Sequence, residues 1–325
     1  MNQGFYMNDW QLKTPVAFLI FNRPDTTEKV FEAICQAKPP KLLVVADGPC
    51  ADRSGEVEKC AAARAIIEKV DWNCKVLKNY SNVNMGCKRR ISSGLDWVFN
   101  TVNEAIILED DCLPHPTFFR FCEELLERYR DDERIMMACG FNSQTKSIKG
   151  QHSYFFSKYP HIWGWASWRR VWKYYDVEMA RWPELRDSKR YRDFSISADE
   201  SSFWRRYFDL VFQGAIDTWD AQGTFMSFCQ SGMSIFPNEN LISNIGFGLD
   251  ATHTAGNSDL AKLKTYPIEF PLKHPEIMIR DVTKDEIRRK KEYSNKGLFL
   301  KSINKIFEVS NKFLFTKEPF NERNI

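Results

Sequence analysis

The sequence lacks any cysteine pair in CxxC spacing, although it contains nine cysteines. Structural zinc sites and dithiol redox centres use such pairs, so we expect neither here. The odd number of cysteines in a chain of 325 residues also argues against a disulfide scaffold. We therefore expect all nine to be small, mostly buried side chains in a reducing cytosol.

Long apolar runs are also missing. No stretch approaches the ~20 apolar residues that cross a membrane. The N-terminal segment has neither the basic start nor the apolar core of a signal peptide. We expect a cytoplasmic protein.

An excess of charge of one sign is missing as well, because 46 Lys and Arg face 43 Asp and Glu, for a net charge of +3. Proteins that bind nucleic acid usually carry a strong basic excess, so we expect no nucleic-acid partner. Aromatic residues, by contrast, reach 14%, and seven of the ten tryptophans fall between Trp163 and Trp219. The second half of the chain thus differs in character from the first.

The first half alternates short apolar runs with amphipathic stretches. This pattern predicts an α/β fold with a mostly parallel sheet that has helices on both faces. In such sheets ligands bind outside the carboxyl ends of the strands, so the residues that follow each strand are the first site candidates. Strands are predicted over 16–21, 42–46, 75–77, 105–108 and 135–139, and helices over 26–37 (capped by Asp25 or Thr26), 56–70, 88–102 and 117–130.

After Gly140 the chain becomes rich in aromatic residues and loops. Trp165, Trp168 and Trp172 recur at helical spacing, which predicts a helix whose tryptophans face the core. Helices are also predicted over 201–212 and about 222–231, followed by a Gly-, Asn-, Ser- and Thr-rich loop over 238–257.

Three adjacent acids, Glu109-Asp110-Asp111, directly follow one apolar strand. Adjacent carboxylates repel one another unless a positive charge lies nearby. A divalent cation, bound through oxygens together with a diphosphate, would supply that charge. A solvated turn is the competing interpretation, and the position of the triplet at the end of a central parallel strand favours the metal site.

Five segments occur in an order that resembles the GT-A fold glycosyltransferases. The resemblance is closest to bacterial family-2-like enzymes and to N-acetylglucosaminyltransferase I, in which an acidic triplet replaces the usual DxD motif. It covers roughly residues 14–257 and implies a Rossmann-like GT-A domain that binds a nucleotide sugar. The segments are Phe18–Asp25, Val44–Pro49, Asn84–Gly86, Gly94–Phe99 and Ile107–Asp111.

The resemblance implies a role for each acid of the triplet. Asp111 would coordinate Mn²⁺ or Mg²⁺, while Glu109 and Asp110 would face the ribose and the nucleotide. It also implies that His253, in the glycine-rich loop, closes over the metal or the diphosphate.

The resemblance implies further contacts to the nucleotide sugar. Asp47 would accept a hydrogen bond from the base, and Arg23 would contact the base or a phosphate. Lys88 or Arg89 would lie near the diphosphate. These basic residues begin a predicted helix, where cations oppose the helix dipole, and a nearby anion would relieve that conflict.

On the acceptor side, Trp163 and Trp165 precede or begin the predicted helix and are candidates for an aromatic platform that stacks on a sugar. The resemblance implies that Asp220, in the Trp-Asp pair, is the general base, which must lie within hydrogen-bond reach of the acceptor hydroxyl. A helix cap is the competing role for Asp220. The pair Asp199-Glu200 is a weaker candidate for the base.

Together these features predict a metal-dependent, inverting glycosyltransferase of the hexosyl- or N-acetylhexosaminyltransferase class. It would move a sugar from a nucleotide-diphosphate donor, with a UDP-sugar favoured, to a glycan or lipid-linked acceptor in polysaccharide biosynthesis. Two alternatives stay open. They are a sugar-1-phosphate nucleotidyltransferase, which would need a glycine-rich loop after the first strand, and a non-catalytic carbohydrate-binding protein.

The predicted domain covers residues 1–257, with a nucleotide-sugar half over 14–140 and an acceptor half over 141–257. Residues 258–325 form a basic, partly amphipathic helical extension. Such a helix docks on its own domain or lies on an anionic membrane surface. The second option would make the enzyme a peripheral protein of the inner face of the cell membrane.

Overall fold

The computed structural model describes residues 10–144, 151–246 and 263–293. The described strands are β1 Val16–Ile20, β2 Lys41–Ala46, β3 Lys75–Tyr80, β4 Glu104–Glu109, β5 Cys112–Pro114, β6 Ile135–Cys139, β7 Tyr154–Ser157, β8 Trp165–Trp168, β9 Met233–Pro237 and β10 Ile242–Asn244. The described α-helices are α1 Pro24–Ala37, α2 Glu56–Ile66, α3 Cys87–Thr101, α4 Thr117–Arg128, α5 Arg169–Trp172, α6 Trp182–Asp187, α7 Ala198–Phe212, α8 Asp220–Cys229 and α9 Val282–Glu292.

Eight of these strands form one sheet in the order β3-β2-β1-β4-β8-β6-β9-β7. Strands β3, β2, β1 and β4 are parallel neighbours. Strand β8 runs antiparallel between β4 and β6, β9 is parallel to β6, and β7 closes the edge antiparallel to β9. Six of the eight strands therefore point the same way, which confirms the predicted α/β class with a mostly parallel sheet flanked by helices.

The central strands are apolar along their whole length because both of their faces are covered. On β1, Phe18 packs into one core cluster and its neighbours Ala17 and Leu19 pack into another on the opposite face. Helices α1 and α4 contribute to the first cluster and α3 contributes to the second. The carboxyl ends of β1, β2 and β4 consequently lie at one edge of the sheet, where Arg23, Asp47 and the acidic triplet follow.

The tryptophan-rich segment corrects one prediction. Residues 165–168 form strand β8, and the helix expected there is only the single turn α5. Side chains alternate across a strand. Accordingly, Trp165 packs on the face of the sheet that carries α3, and Trp168 packs on the opposite face.

Several other boundaries also differ from the predictions. Helix α1 begins at Pro24, with Arg23 at the N-cap position and no side-chain cap, so the predicted caps are wrong. Helix α2 ends at Ile66 and a single 3₁₀ turn follows it. Strands β5, β7, β9 and β10 were not anticipated, and the expected loop over 238–257 contains β10.

A third core cluster lies in the second half of the chain, among α6, α7 and α8. It contains Trp182, Trp204, Phe208 and Phe225. The ring centroid of Phe208 lies 5.3 Å from those of both Trp182 and Trp204, and that of Phe225 lies 5.9 Å from that of Trp182. Part of the tryptophan excess is thus structural.

The start of the predicted C-terminal extension packs on the sheet domain. Ser157 at the end of β7 donates a hydrogen bond to buried Asp285 of α9. Ser143 donates to Glu292 at 2.8 Å, and the Arg288 guanidinium stacks on Phe236 of β9 at 4.0 Å. Residues 263–293 therefore belong structurally with the sheet, whereas the remaining tail from 294 lies outside the described residues.

No helix of the described part of the chain is long and apolar enough to cross a membrane. The nine cysteines are all free. Four of them are buried, four are half-buried and Cys229 is exposed, so the expectation of mostly buried cysteines is only partly confirmed.

Candidate active site

The acidic triplet is held in place by Arg23, which lies one strand away. Its guanidinium forms an ion pair with the carboxylate of Asp110 and another with Asp111 Oδ2 at 2.9 Å. The backbone N–H of Phe21 also donates to Asp110 at 3.1 Å. Burial alone would lower the pKa of the Arg23 guanidinium, but Asp110 and Asp111 raise it above its ordinary value. Arg23 thus pairs with the triplet, where the prediction had it contact a base or phosphate.

The triplet carries more negative charge than Arg23 balances. Burial, followed by Asp111 and Asp110, raises the pKa of Glu109 well above its ordinary value. Burial also raises the pKa of Asp110, in spite of its ion pair with Arg23. The local arrangement therefore favours a further positive charge.

A divalent cation fits this donor set. Arg23 contacts two acids of the triplet, and Asp111 is the more exposed of the two. Its side chain is 16% exposed, against 3% for Asp110. Its Oδ1 atom contacts only the thiol of Cys112, at 3.4 Å. In the described part of the chain no group of three or more His, Cys, Asp or Glu residues forms a ready metal cage. Mg²⁺ and related ions commonly bind through one or two carboxylates and complete their shell with phosphate oxygens and water, so Asp111 suffices as an anchor.

The next strand end, after β2, is held by Asp47. Its carboxylate accepts the backbone N–H of Gly48 at 2.9 Å and that of Met85 at 3.0 Å. A Cβ on Gly48 would lie 2.5 Å from the backbone of Val83, so only glycine allows the two loops to lie this close. Asp47 is buried, and its two hydrogen bonds join the loops after β2 and β3. Its hydrogen bond to a base stays a prediction.

The three basic residues that begin α3 are used differently from one another. Lys88 Nζ lies 3.3 Å from Glu178, and Arg89 is exposed. Arg90 is buried and donates to the backbone and side-chain oxygens of Asn79. Lys88 and Arg89 thus remain accessible near the N-terminus of α3, as predicted for residues near a diphosphate, while Arg90 is structural.

An anion does lie at this helix N-terminus, and it belongs to the protein. The backbone N–H of Cys87, the first residue of α3, donates to Asp217 Oδ2 at 3.1 Å. Gly86 has a φ of +78°, and a Cβ there would lie 3.2 Å from the same oxygen. No local sequence pattern marks Asp217, because only the fold brings residues 130 positions apart into contact.

The charge of Asp220 contributes to raising the pKa of Glu109 in the triplet, after burial and the two neighbouring aspartates. Burial, followed by the charges of Glu109, Asp220, Asp217 and Asp47, also raises the pKa of the Cys87 thiol at the start of α3. Asp220 is the first residue of α8, whose N-cap position is Trp219 and which has no side-chain cap. The Thr218 hydroxyl donates to Asp220, which forms no ion pair with any described residue.

Of the rival pair Asp199-Glu200, Glu200 is excluded by burial, whereas Asp199 is 41% exposed and lies 3.5 Å from the Arg289 guanidinium. Glu200 is 0% exposed and forms an ion pair with Lys158 at 2.6 Å. It also accepts hydrogen bonds from Tyr159, Trp204 and the backbone of Ile196. A carboxylate enclosed in this way cannot reach an acceptor hydroxyl.

The two candidate platform tryptophans differ in exposure. Trp165 is 2% exposed and stacks on Trp219 at 6.1 Å, so it is a core residue. The cavity between Trp165, Trp219 and Asp220 measures about 10 Å³, which is the size of one water molecule and excludes a sugar. Trp163 is half-buried, with its ring edge-on to Phe141 at 4.6 Å. Trp163 therefore remains the candidate for a sugar platform.

The glycine-rich loop begins directly over the triplet. The backbone N–H of Ile245 donates to the carbonyl of Asp111 at 2.8 Å. A Cβ on Gly246 would lie 2.2 Å from Asp111 Oδ2, so glycine is needed for this approach. His253 lies outside the described residues, and its role stays a prediction.

No family model and no curated protein matches this sequence, so sequence comparison does not support the resemblance to N-acetylglucosaminyltransferase I. Solved structures that are similar include a UDP-glucose pyrophosphorylase complexed with UDP-glucose, at 9% identity over 69% of this chain and 90% of that chain, with a TM-score of 0.35. A mannosyltransferase from Pyrobaculum calidifontis in complex with GDP-Man and Mn²⁺ is 11% identical over 67% of this chain and 70% of that chain, with a TM-score of 0.38. A 4-diphosphocytidyl-2C-methyl-D-erythritol synthase from Anaerococcus prevotii is 10% identical over 61% of this chain and 84% of that chain, with a TM-score of 0.31. These neighbours include both a glycosyltransferase and nucleotidyltransferases, and likenesses this distant do not decide which reaction the chain catalyses.

Proposed function

We propose that the protein is a metal-dependent inverting glycosyltransferase that uses a nucleotide-diphosphate sugar. The observation that carries the proposal is the acidic triplet at the end of β4, whose negative charge Arg23 balances only in part. The triplet supplies a cation anchor, and the start of α8 supplies a second carboxylate, Asp220, whose charge contributes to raising the pKa of Glu109. Metal-assisted transfer to a hydroxyl needs this pairing of a cation anchor with a separate base.

Asp111 would hold Mn²⁺ or Mg²⁺, which neutralises the departing diphosphate when bound. Arg23 orients Asp111, and its charge opposes the rise that burial causes in the pKa of Asp110. Lys88 and Arg89 would attract the diphosphate from the first turn of α3, where the backbone N–H groups also favour an anion.

Asp220 would accept the proton of the acceptor hydroxyl as that oxygen attacks the anomeric carbon. Its half-buried position and the absence of a cationic partner among the described residues suit a carboxylate that must bind a proton during turnover. A single in-line displacement inverts the anomeric carbon. The Thr218 hydroxyl fixes the orientation of the carboxylate.

The acceptor would be a glycan or a lipid-linked glycan held beside Trp163, with a UDP-sugar as the favoured donor. This assignment rests on the partial exposure of Trp163 and on its place after β7 in the acceptor half. A lipid-linked acceptor would bring the enzyme to the inner face of the cell membrane.

The competing activity is sugar-1-phosphate nucleotidyl transfer, and the loop after β1 disfavours it. That loop has no glycine, and α1 begins at Pro24, which has no backbone N–H to offer a phosphate. The Arg23 guanidinium of the same loop is already paired with the triplet. A glycine-rich phosphate loop is therefore absent at the position where this activity would need one.

A binding and turnover screen tests the proposal. UDP-, GDP-, CMP- and dTDP-sugars are added with and without Mn²⁺ while the melting temperature is followed, and the hit is then assayed for sugar transfer. We expect one nucleotide class to stabilise the protein only with Mn²⁺. Release of pyrophosphate from a nucleoside triphosphate and a sugar 1-phosphate would instead identify a nucleotidyltransferase.

Asp220→Asn separates catalysis from donor binding. We expect kcat to fall by about 10²- to 10⁴-fold, since a general base contributes that much, while the donor affinity stays within about twofold. Asp193→Asn, at an exposed aspartate of the same half of the chain, serves as the matched control and should keep wild-type turnover. Near-normal turnover of Asp220→Asn would show that another group is the base.

A further inference from the structure

The mechanism above gives Asp217 no role, although this residue contacts the N-terminus of α3 directly. Its Oδ2 atom accepts the Cys87 N–H at 3.1 Å, and Gly86 gives it the room to do so. Asp217 is exposed and forms no ion pair with any residue that the structure describes. An exposed carboxylate thus accepts an N–H group that has no partner within its own helix.

The same helix end is where the proposed donor presents its phosphates. Both a carboxylate and a diphosphate are stabilised by the N–H groups and the positive end of the dipole of a 15-residue helix. Lys88 and Arg89 follow directly in the first turn and would attract the diphosphate. The two anions cannot both accept the Cys87 N–H.

We propose that Asp217 is an internal competitor of the donor diphosphate at the N-terminus of α3, and that it lowers the affinity of the enzyme for the donor and for the nucleoside diphosphate product. This inference rests on the proposed function. A diphosphate that binds at Cys87 displaces the Asp217 carboxylate or lies close to it. Asp217 therefore opposes nucleotide binding through charge.

The competition also involves the proposed base. Asp217 lies three residues before Asp220, in a segment whose Thr218 hydroxyl donates to Asp220. When the diphosphate takes the Cys87 N–H, this segment loses its tether to α3. Departure of the nucleoside diphosphate restores the tether, which favours product release.

The test is calorimetric titration of the full-length protein with UDP and GDP in the presence of Mn²⁺, and with inorganic pyrophosphate in EDTA. Asp217→Asn keeps an oxygen that can accept the Cys87 N–H but removes the charge. We expect it to bind its diphosphate ligands about three- to tenfold more tightly than the wild type does, because one like charge close to the diphosphate is removed. Asp217→Glu keeps the charge and should bind like the wild type.

The sign of the change distinguishes competition from a structural role. Damage to the site would weaken binding, so tighter binding by Asp217→Asn supports only the competition. Asp281→Asn is the matched control, because Asp281 accepts the Lys284 N–H at the N-cap of α9, and it should leave binding unchanged.

Unchanged or weaker binding by Asp217→Asn, while the wild type binds a nucleotide, would overturn the inference and leave the proposed function standing. Weaker binding only with Mn²⁺ would identify Asp217 as a metal ligand and overturn it too. A wild type that binds neither nucleotide would overturn the proposed function, and the inference with it.

Discussion

Among single residues, Arg23 does most to balance the negative charge of the acidic triplet. It is the described cation that pairs with both Asp110 and Asp111, and Asp110 is 3% exposed. Leaving one partner of a buried ion pair without the other is strongly destabilising, because the remaining charge is still removed from water. The fold thus depends on Arg23 as much as the proposed chemistry does.

Arg23→Gln should therefore lower the free energy of unfolding by about 3 kcal/mol in urea titrations. Mn²⁺ should restore part of this loss in the variant, since a cation on Asp111 supplies the missing positive charge. Arg181→Gln is the matched control, because Arg181 and Glu184 are 80% and 65% exposed in their 3.1 Å pair, and exposed pairs contribute only about 0–1 kcal/mol. Equal losses in the two variants would show that Asp110 does not need Arg23.

The candidate site could be predicted from sequence only in part. The triplet and Asp220 were found because each follows or begins an element in a short local pattern. Asp217 was not found, and the pairing of Arg23 with the triplet was not expected, because both depend on contacts between distant segments. The prediction that Trp165 is a sugar platform is wrong, because sequence shows that a residue is aromatic but not which face of the sheet it occupies.

At the scale of elements, α3 is the helix that connects the site to the sheet. Its N-terminus meets Asp217, and its Gly94 packs against Val45 of β2. A Cβ on Gly94 would lie 2.4 Å from Val45 Cγ1. The absence of a side chain at Gly94 therefore sets how closely α3 approaches the strand that carries Asp47.

Gly94→Ala should destabilise the protein by about 1–3 kcal/mol, as overpacking of a core does. Val45→Ala in the same chain should recover much of this loss, because it removes the clashing methyl groups. Gly223→Ala in α8 is the matched control, since nothing lies within 4 Å of its Cβ, and it should stabilise by about 0.5–1 kcal/mol. Denaturant unfolding measures all three, and a neutral Gly94→Ala would contradict the close packing.

Elements of the first half were predictable because their alternation is long and regular. In the second half, Trp165–Trp168 is too short for its period to distinguish a strand from a helix. The neighbours β4 and β6 decide the matter by supplying hydrogen bonds on both sides. Strands β7 and β9 have the same difficulty, because each is stabilised by a partner that is distant in sequence.

At the scale of the whole molecule, the segment 263–293 is integral to the sheet domain. Asp285 and Glu292 are buried and bonded to Ser157 and Ser143, which belong to the sheet or to the loop after β6. The predicted boundary at 257/258 lies in residues that the structure does not describe, and Leu263, the first described residue after it, packs against the core of the sheet.

A chain that ends at Tyr293 keeps every described contact of this segment and is the reference in urea unfolding. A chain that ends at Lys284 loses the buried side chains of Asp285, Arg288 and Glu292 and should have a clearly lower midpoint, or fail to fold. The same midpoint for both chains would show that α9 does not contribute to stability.

The molecule also exposes an apolar surface on this segment. Ile277 and Ile279 are each 69% exposed, Val282 is 53% exposed, and the basic α9 with Lys290 follows. Apolar side chains beside basic ones are typical of contact with an anionic membrane, the peripheral contact that we propose for the extension. The full chain should sediment with phosphatidylserine-containing vesicles, and the double variant Ile277→Glu, Ile279→Glu should do so less. Val57→Glu, at a residue 59% exposed in α2, is the control and should not change the bound fraction.

The stacked indoles beside Asp220 give this protein an intrinsic optical signal. Trp219 directly precedes Asp220, lies 6.1 Å from Trp165 at an interplanar angle of 28°, and Trp165 in turn lies 6.5 Å from Trp172. Indoles held this close couple their electronic transitions, and the coupling depends steeply on their mutual angle. A displacement of the segment that carries the proposed base would therefore alter the near-ultraviolet circular dichroism. Ligand-driven motion at the acceptor side could be followed in unlabelled protein, without knowledge of the acceptor.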